Sequence, residues 1–163
     1  MSITKLAIKL ASPLPQLESF SRCLFIGPHP DDIEIGAGAT AAKLAESGKA
    51  VAFLCCIDGR YGSAAVPPEE LIPIRQAEAK ASAAALGVSD VRFLPFCDGG
   101  FYDARELTSA IAKVVGDFKP DVIFCPDPQV KSECHPDHLN VGKAASEVAY
   151  FAPYEGIMRR HGA

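Results

Sequence analysis

Three of the four histidines in this 163-residue chain fall in two short segments of the same form. The first reads Gly27-Pro28-His29-Pro30-Asp31-Asp32-Ile33-Glu34, and the second reads Ser132-Glu133-Cys134-His135-Pro136-Asp137-His138. Each holds His-Pro-Asp followed by one more side chain able to bind a metal, so His29-x-x-Asp32 is matched by His135-x-x-His138. Neutral imidazole and carboxylate are zinc ligands, and a catalytic zinc keeps three protein ligands plus an open position for water. Pro30 and Pro136 stiffen both segments, which lowers the freedom lost when ligands are fixed around an ion. A lone His-x-x-Asp would read as a surface histidine before a helix, with Asp31 or Asp32 as its N-cap. Two such motifs in one short chain favour a metal site.

The elements that must position these segments alternate along the chain. Strand-like apolar runs occur at 22–27, 49–57, 91–96 and 121–126, and helical spacing fills 36–47, 68–86, 104–118 and 139–151. Glu69 and Glu70 follow Pro67-Pro68 in a first turn, and Gly87 follows the last helical residue, as helix ends require. Strands alternating with helices of a dozen or more residues predict βαβ units, hence a doubly wound, Rossmann-like α/β sandwich with a mostly parallel sheet covered on both faces. The lead-in, residues 1–20, is less regular, because Pro13 and Pro15 prevent a long helix. In such sheets ligands bind beyond the carboxyl ends of the strands. Both histidine segments follow predicted strands, the first and the fourth.

Composition bounds the rest. Apolar residues make up 48% of the chain and charged residues 22%, which supports a packed core and excludes a disordered chain. The length predicts one domain over 1–163. The longest apolar run, 51–57, is far below the roughly 18 residues of a membrane helix, and the N-terminus lacks the apolar core of a signal peptide. A net charge of −4 argues against broad nucleic-acid binding. The expectation is a cytoplasmic protein with neither nucleic-acid nor membrane partners, and a homo-oligomer is compatible with it. Of six cysteines, Cys23, Cys55, Cys56, Cys97 and Cys125 lie in apolar stretches and are expected to be buried small hydrophobes. Cys134 lies in a polar segment.

The two motifs together resemble the LmbE-like, or PIG-L-like, family of zinc-dependent N-acetylglucosaminyl deacetylases. The resemblance rests on Pro28 to Glu34 and on His135-Pro136-Asp137-His138-Leu139-Asn140, and it extends to Asp58-Gly59, Ile74 to Ala79, Leu86-Gly87-Val88, Phe93-Leu94 and Asp98-Gly99. It implies a hydrolase that removes the N-acyl group from an N-acetylglucosamine-type conjugate, a small-molecule substrate, with one zinc ion per chain. Carried over by position, it implies His29, Asp32 and His138 as zinc ligands and Asp31 as the general base. His135 would stabilise the tetrahedral intermediate, and Asp137 would orient or tune His135. Arg75 and Asp98 would hold the substrate.

Other readings of these residues remain open in the sequence. Arg75 could simply pair with Glu78 on a solvated helix face, and Asp98 before Gly99-Gly100 could be a turn residue. Glu34 could support a ligand or favour the N-terminus of the next helix. Gly36-x-Gly38-x-x-Ala41, with Asp58 further on, fits a dinucleotide fingerprint, which would make the protein an oxidoreductase. That fingerprint should open directly after the strand, whereas Pro28 to Ile35 intervene here. A non-catalytic or inactive metal-binding fragment of the same fold is the other alternative. The family's chains usually run well past the second motif, so the expectation includes a domain truncated at its C-terminus relative to the family, lacking part of a substrate pocket wall.

Overall fold

The computed structural model describes residues 3–4 and 16–163. Four strands, β1 (Arg22–Gly27), β2 (Ala50–Ile57), β3 (Asp90–Phe96) and β4 (Val122–Phe124), form one sheet in the order β3-β2-β1-β4, and every pairing is parallel. Between and after them lie α1 (Asp32–Glu46), α2 (Pro68–Ala85), α3 (Ala104–Phe118), α4 (Pro136–Phe151) and α5 (Glu155–Arg160), with a single 3-10 turn at Leu17–Ser19. None of these helices is long and apolar enough to cross a membrane.

Side chains of a strand alternate between faces, and here both faces are buried, so β2 and, after the exposed Arg22, β1 are apolar. Leu24, Ile26, Ala52, Leu54 and Cys56 pack on one side against Leu107, Ile111 and Val115 of α3, Val141 and Val148 of α4, and Met158 of α5. Cys23, Phe25, Val51, Phe53 and Cys55 pack on the other side against Ile33, Ala41 and Leu44 of α1 and Ala83 of α2. The expected α/β sandwich with helices on both faces is therefore present.

The boundaries differ from the sequence expectation in informative places. β4 has three residues rather than six; it pairs only with β1, and Pro126 cannot donate to a ladder. As a consequence Cys125, expected to be buried, is exposed at the end of this edge strand, and Cys97 is only partly buried. Cys23, Cys55 and Cys56 are buried as expected. α1 begins at Asp32 rather than Gly36, and α4 at Pro136 rather than Leu139, so both histidine motifs run directly into helix N-termini. Pro136 suits this role, since its missing N–H is one that a first helical turn leaves unpaired anyway. α5 was not anticipated; its six residues show too little periodicity to register.

The strand order places the site. Successive connections run outward from β1 to β2 to β3, and the chain then returns to the opposite side of β1 to form β4. The reversal between β1 and β4 is the topological switch point, where the carboxyl ends of adjacent strands open a crevice. The segment after β1 carries His29 and Asp32, and the segment after β4 carries His135 and His138. A close approach holds the second segment in place. A Cβ on Gly142 of α4 would lie 2.5 Å from the Pro126 carbonyl oxygen, so only glycine lets α4 pack onto the chain leaving β4.

Candidate metal centre

His29 stands at the centre of the crevice with a carboxylate at each ring nitrogen. Its Nδ1 lies 3.2 Å from Asp32 Oδ2, and its Nε2 lies 3.2 Å from Asp137 Oδ2. Asp32 also accepts the His29 backbone N–H at 2.8 Å, which closes the turn into α1. From the other loop, His138 places Nε2 3.5 Å from the same Asp32 oxygen, and its Nδ1 lies 2.9 Å from Glu133 Oε2.

Both His29 ring nitrogens have a carboxylate oxygen at 3.2 Å. In the tautomers that would ligate a cation, Asp137 takes the proton on His29 Nε2 and Glu133 the proton on His138 Nδ1, which turns the lone pairs of His29 Nδ1 and His138 Nε2 to Asp32. One ligand atom from each of His29, Asp32 and His138 lies within 4.8 Å of the others. Converging lone pairs repel unless a cation lies between them, and a carboxylate behind each imidazole is the usual support of a metal-bound histidine. Ligand bonds of about 2.0–2.2 Å in a tetrahedron put donor atoms about 3.4 Å apart, close to the 3.2 and 3.5 Å found here. The residues fit a zinc-type ion.

A second triad of His29, His135 and Asp137 also meets the distance test. Its electron pairs, however, are already taken. Asp137 is fully buried and accepts from Gly99 N–H at 2.7 Å, Gly100 N–H at 2.8 Å and the Tyr102 hydroxyl at 2.8 Å, besides His29. His135 is the N-cap of α4, and its Nδ1 accepts the Asp137 N–H at 3.2 Å. Gly99 and Gly100 both have positive φ, at 84° and 79°, which turns their two N–H groups toward one carboxylate. Burial alone would raise the Asp137 carboxyl, but these donors outweigh it and hold it below the ordinary carboxylate range. Burial likewise keeps the Tyr102 phenol protonated by raising its pKa, so it donates. Burial opposes charge on His29, yet Asp32 and Asp137 outweigh it and raise the imidazole pKa. Asp32 is lowered, because His29 and His138 outweigh its own burial.

The remaining sequence candidates surround these groups. Asp31 is not part of the triad and receives Arg75 Nη2 at 2.8 Å. Arg75 also donates to the Pro30 carbonyl at 2.8 Å and to Glu78 at 2.7 Å, so the helix-face pairing with Glu78 is real and so is a contact into the site. Asp98 lies 3.9 Å from His29 Nε2, and its two oxygens accept the backbone N–H groups of Gly59 at 3.0 Å and Tyr61 at 2.7 Å. It therefore ties the loop after β2 to the loop after β3. Asp137 contacts His29 more closely than the His135 ring, which it approaches at 3.8 Å through Nδ1. Glu34 lies in the first turn of α1 and makes no side-chain hydrogen bond or ion pair among the described residues. A cavity of about 750 Å³ beside the triad is lined by His29, Asp31, Arg75, Asp98 and His135 among others.

Two supports were missed in the sequence. Glu133 was part of the quoted motif but carried no signal of its own beyond being a carboxylate near two histidines. Tyr102 lies outside every motif, and only the fold brings its hydroxyl to Asp137. The dinucleotide alternative fails on placement: Gly36, Gly38 and Ala41 lie inside α1 rather than in a strand-to-helix turn. Gly38 and Ala41 are buried, and a Cβ on Gly38 would meet Leu86 at 3.5 Å, so small residues there serve helix packing.

Comparison with known proteins agrees with this fold. The PIG-L family, described as GlcNAc-PI de-N-acetylase, matches residues 24–149. The chain belongs to the PIG-L family. It is 36% identical over 152 residues to diacetylchitobiose deacetylase of Thermococcus kodakarensis, covering 92% of this chain and 56% of that protein. The structure of N,N'-diacetylchitobiose deacetylase from Pyrococcus horikoshii superposes with a TM-score of 0.86 at 30% identity, covering 99% of this chain and 63% of that one. At 23% identity, 4-carboxy-2-hydroxymuconate hydratase from Pseudomonas putida superposes with a TM-score of 0.73, over 83% of this chain and 58% of that one, a likeness of fold alone. The chain thus spans little more than half the length of the Thermococcus relative. The PIG-L match begins in β1 and ends in α4, so it contains both histidine motifs, most of β1 and all of β2, β3 and β4.

Proposed function

We propose that this chain is a metal-dependent amidohydrolase that removes the N-acetyl group from an N-acetylglucosamine-type sugar, with one zinc ion held by His29, Asp32 and His138. The observation that carries this reading is the convergence of one ligand-type atom each from His29, Asp32 and His138, brought from two loops, with a carboxylate at the far nitrogen of each imidazole. The activities of the diacetylchitobiose deacetylases it resembles support the substrate class. Zinc in that position would polarise the amide carbonyl and lower the pKa of water to about 7.

The chain's own residues supply the proton transfers. Asp31 is half-exposed and held by Arg75 at 2.8 Å outside the ligand triad, which leaves it as the general base. It takes a proton as water adds to the acyl carbon. When the C–N bond breaks, the same proton passes to the sugar nitrogen, releasing acetate and the free amine. His135 uses Nδ1 to accept the Asp137 N–H, so its proton resides on Nε2, where it donates to the oxyanion formed by attack. Asp137 holds His29 in the required tautomer, Arg75 keeps Asp31 in place, and Asp98 fixes the loop that forms one wall of the cavity.

Release of free amine from N-acetylglucosamine conjugates, measured before and after zinc loading with metal content determined in parallel, tests this reading. Zinc-dependent amine release at about one ion per chain is expected. Tight zinc binding without amine release from any conjugate would make the chain a metal-binding module instead.

A further inference from the structure

The triad borders two cavities of opposite character. His29 lines the polar cavity shared with Asp31, Arg75 and His135, whereas Asp32 and His138 line a second one of about 620 Å³ beside the end of β4. The walls of the second are apolar: Phe25 and Phe124, stacked with ring centroids 4.3 Å apart, together with Ile33 and Ile123. Apart from the Cys125 thiol, the polar side chains lining it are Asp32 and His138, so its polar end is the triad itself.

Two residues of α1 on this cavity are unexplained by the fold. Ile35 is 82% exposed. Gly36 stands inside a helix, where glycine is less stable than alanine, yet its φ is not positive and a Cβ added to it would meet nothing within 4 Å. Gly38 differs, because a Cβ there would touch Leu86. Neither packing nor backbone conformation requires glycine at position 36; what its missing side chain provides is room in the cavity.

The walls and the reaction select the same occupant. A sugar ring would bury hydroxyls against walls that offer them no partner, whereas a hydrocarbon chain gains by leaving water there. In amide hydrolysis the acyl carbon of the tetrahedral intermediate carries two oxygens, the leaving nitrogen and the acyl chain. The oxygens and the nitrogen need polar partners, and His135 and Asp31 stand on the polar cavity. The acyl chain needs none, which suits it to the apolar one.

We infer that the cavity beside β4 holds the hydrocarbon chain of an acyl group longer than acetyl, so that N-butanoyl and N-hexanoyl amino sugars are bound and cleaved better than their N-acetyl counterparts. The reaction is unchanged: the water oxygen bonds to the acyl carbon, the C–N bond breaks, and a proton from water passes to the sugar nitrogen. The longer carboxylate then leaves with the free amine. The inference rests on the amidohydrolase reading, and the test separates the two.

The full chain, kept metal-free in chelator, is titrated by calorimetry with N-acetyl-, N-butanoyl- and N-hexanoylglucosamine. Amine release from the same three is then measured with zinc. Each methylene fully withdrawn from water is worth about fourfold in affinity, and part of this cavity faces solvent, so N-butanoylglucosamine should bind about tenfold more tightly than N-acetylglucosamine. The kcat/KM values should rise in the same order. Gly36→Leu fills the cavity from a position that touches no neighbour, and leucine suits a helix better than glycine, so the melting temperature should not fall. It should remove most of the butanoyl-to-acetyl ratio in both measurements, whereas Gly36→Ala should keep most of it. A wild-type ratio near one, or a ratio that Gly36→Leu leaves intact, would overturn the inference. A dimer in sedimentation that Gly36→Leu dissociates would assign the cavity to a second copy of the chain and overturn it too. Chain-length-dependent binding that Gly36→Leu abolishes, with no amine release from any of the three, would leave the cavity standing and remove the amidohydrolase reading. Amine release with no effect of chain length would do the reverse.

Discussion

The two sides of the His29 ring carry nearly the same groups and differ in what those groups have left to offer. On the Nε2 side, Asp137 is 0% exposed and surrounded by four donors, and His135 has its Nδ1 lone pair taken by a backbone N–H. On the Nδ1 side, Asp32 is 23% exposed, and one nitrogen of each of two imidazoles lies within 3.5 Å of its Oδ2. The first side is internally satisfied and acts as scaffold; the second has the donor set and spacing that a cation would complete. Ligand-type residues within reach of one another are therefore not enough to define a metal site. The direction of each lone pair, set by the partner on the far side of each ring, decides which cluster can bind.

The largest effects should separate those two sides. His138→Ala removes one ligand of three and should lower zinc affinity by about a hundredfold to a thousandfold, since a structural zinc site binds with about 10–16 kcal/mol shared over its ligands. Competition with a zinc-sensitive dye measures this, and amine release should be lost with the metal. Asp137→Ala should instead act on the fold. Removing a buried carboxylate strands the Gly99 and Gly100 N–H groups, the Tyr102 hydroxyl and His29, at a cost of about 3–5 kcal/mol. Denaturant unfolding of the metal-free protein should show that loss. The pH dependence has a definite sign. Because the folded Asp137 carboxyl lies below its ordinary value, its contribution is complete above about pH 4 and disappears as pH falls through the folded value. Asp137→Asn should remove that part of the acid slope.

A second pair of substitutions sharpens the comparison within the catalytic groups. His135→Ala should retain zinc while turnover falls by roughly a hundredfold, the scale for losing one oxyanion donor. Asp31→Asn should behave alike, since asparagine keeps the size of aspartate but cannot accept a proton at neutral pH. Loss of zinc in either variant would move that residue into the ligand set. The smallest effect is expected at Glu133. Its Oε1 accepts the Cys134 and His135 N–H groups at 2.8 Å each, and its Oε2 orients His138. Glu133→Gln should weaken zinc about tenfold with little change in melting temperature, because the group supports a ligand rather than being one.

Much of this was legible in the chain. β2 and, from Cys23 on, β1 are apolar because both their faces are covered, and such runs stand out against their surroundings. The two His-Pro-Asp motifs offered four candidate ligands, the family resemblance implied His29, Asp32 and His138 among them, and the parallel-sheet rule placed them at strand ends before any contact was known. What was not legible depends on long-range geometry. Nothing in the order of residues shows that Asp137 turns to His29 rather than chiefly to His135, because that depends on how α4 lies against β1. Glu133 and Tyr102 acquire roles only through partners brought near by the fold. The ends of α1 and α4 were placed late because proline and histidine resemble loop, although proline also suits a first helical turn. Cys125 was misplaced because an apolar run does not reveal which strand lies at the edge of a sheet.

The most direct test of the central claim is an anomalous difference map from crystals of the zinc-loaded protein. One peak is predicted, about 2.0–2.2 Å from His29 Nδ1, an Asp32 oxygen and His138 Nε2. A peak bound instead by His29 Nε2, His135 and Asp137 would contradict the account, because it would require the satisfied side of the ring to give up its hydrogen bonds.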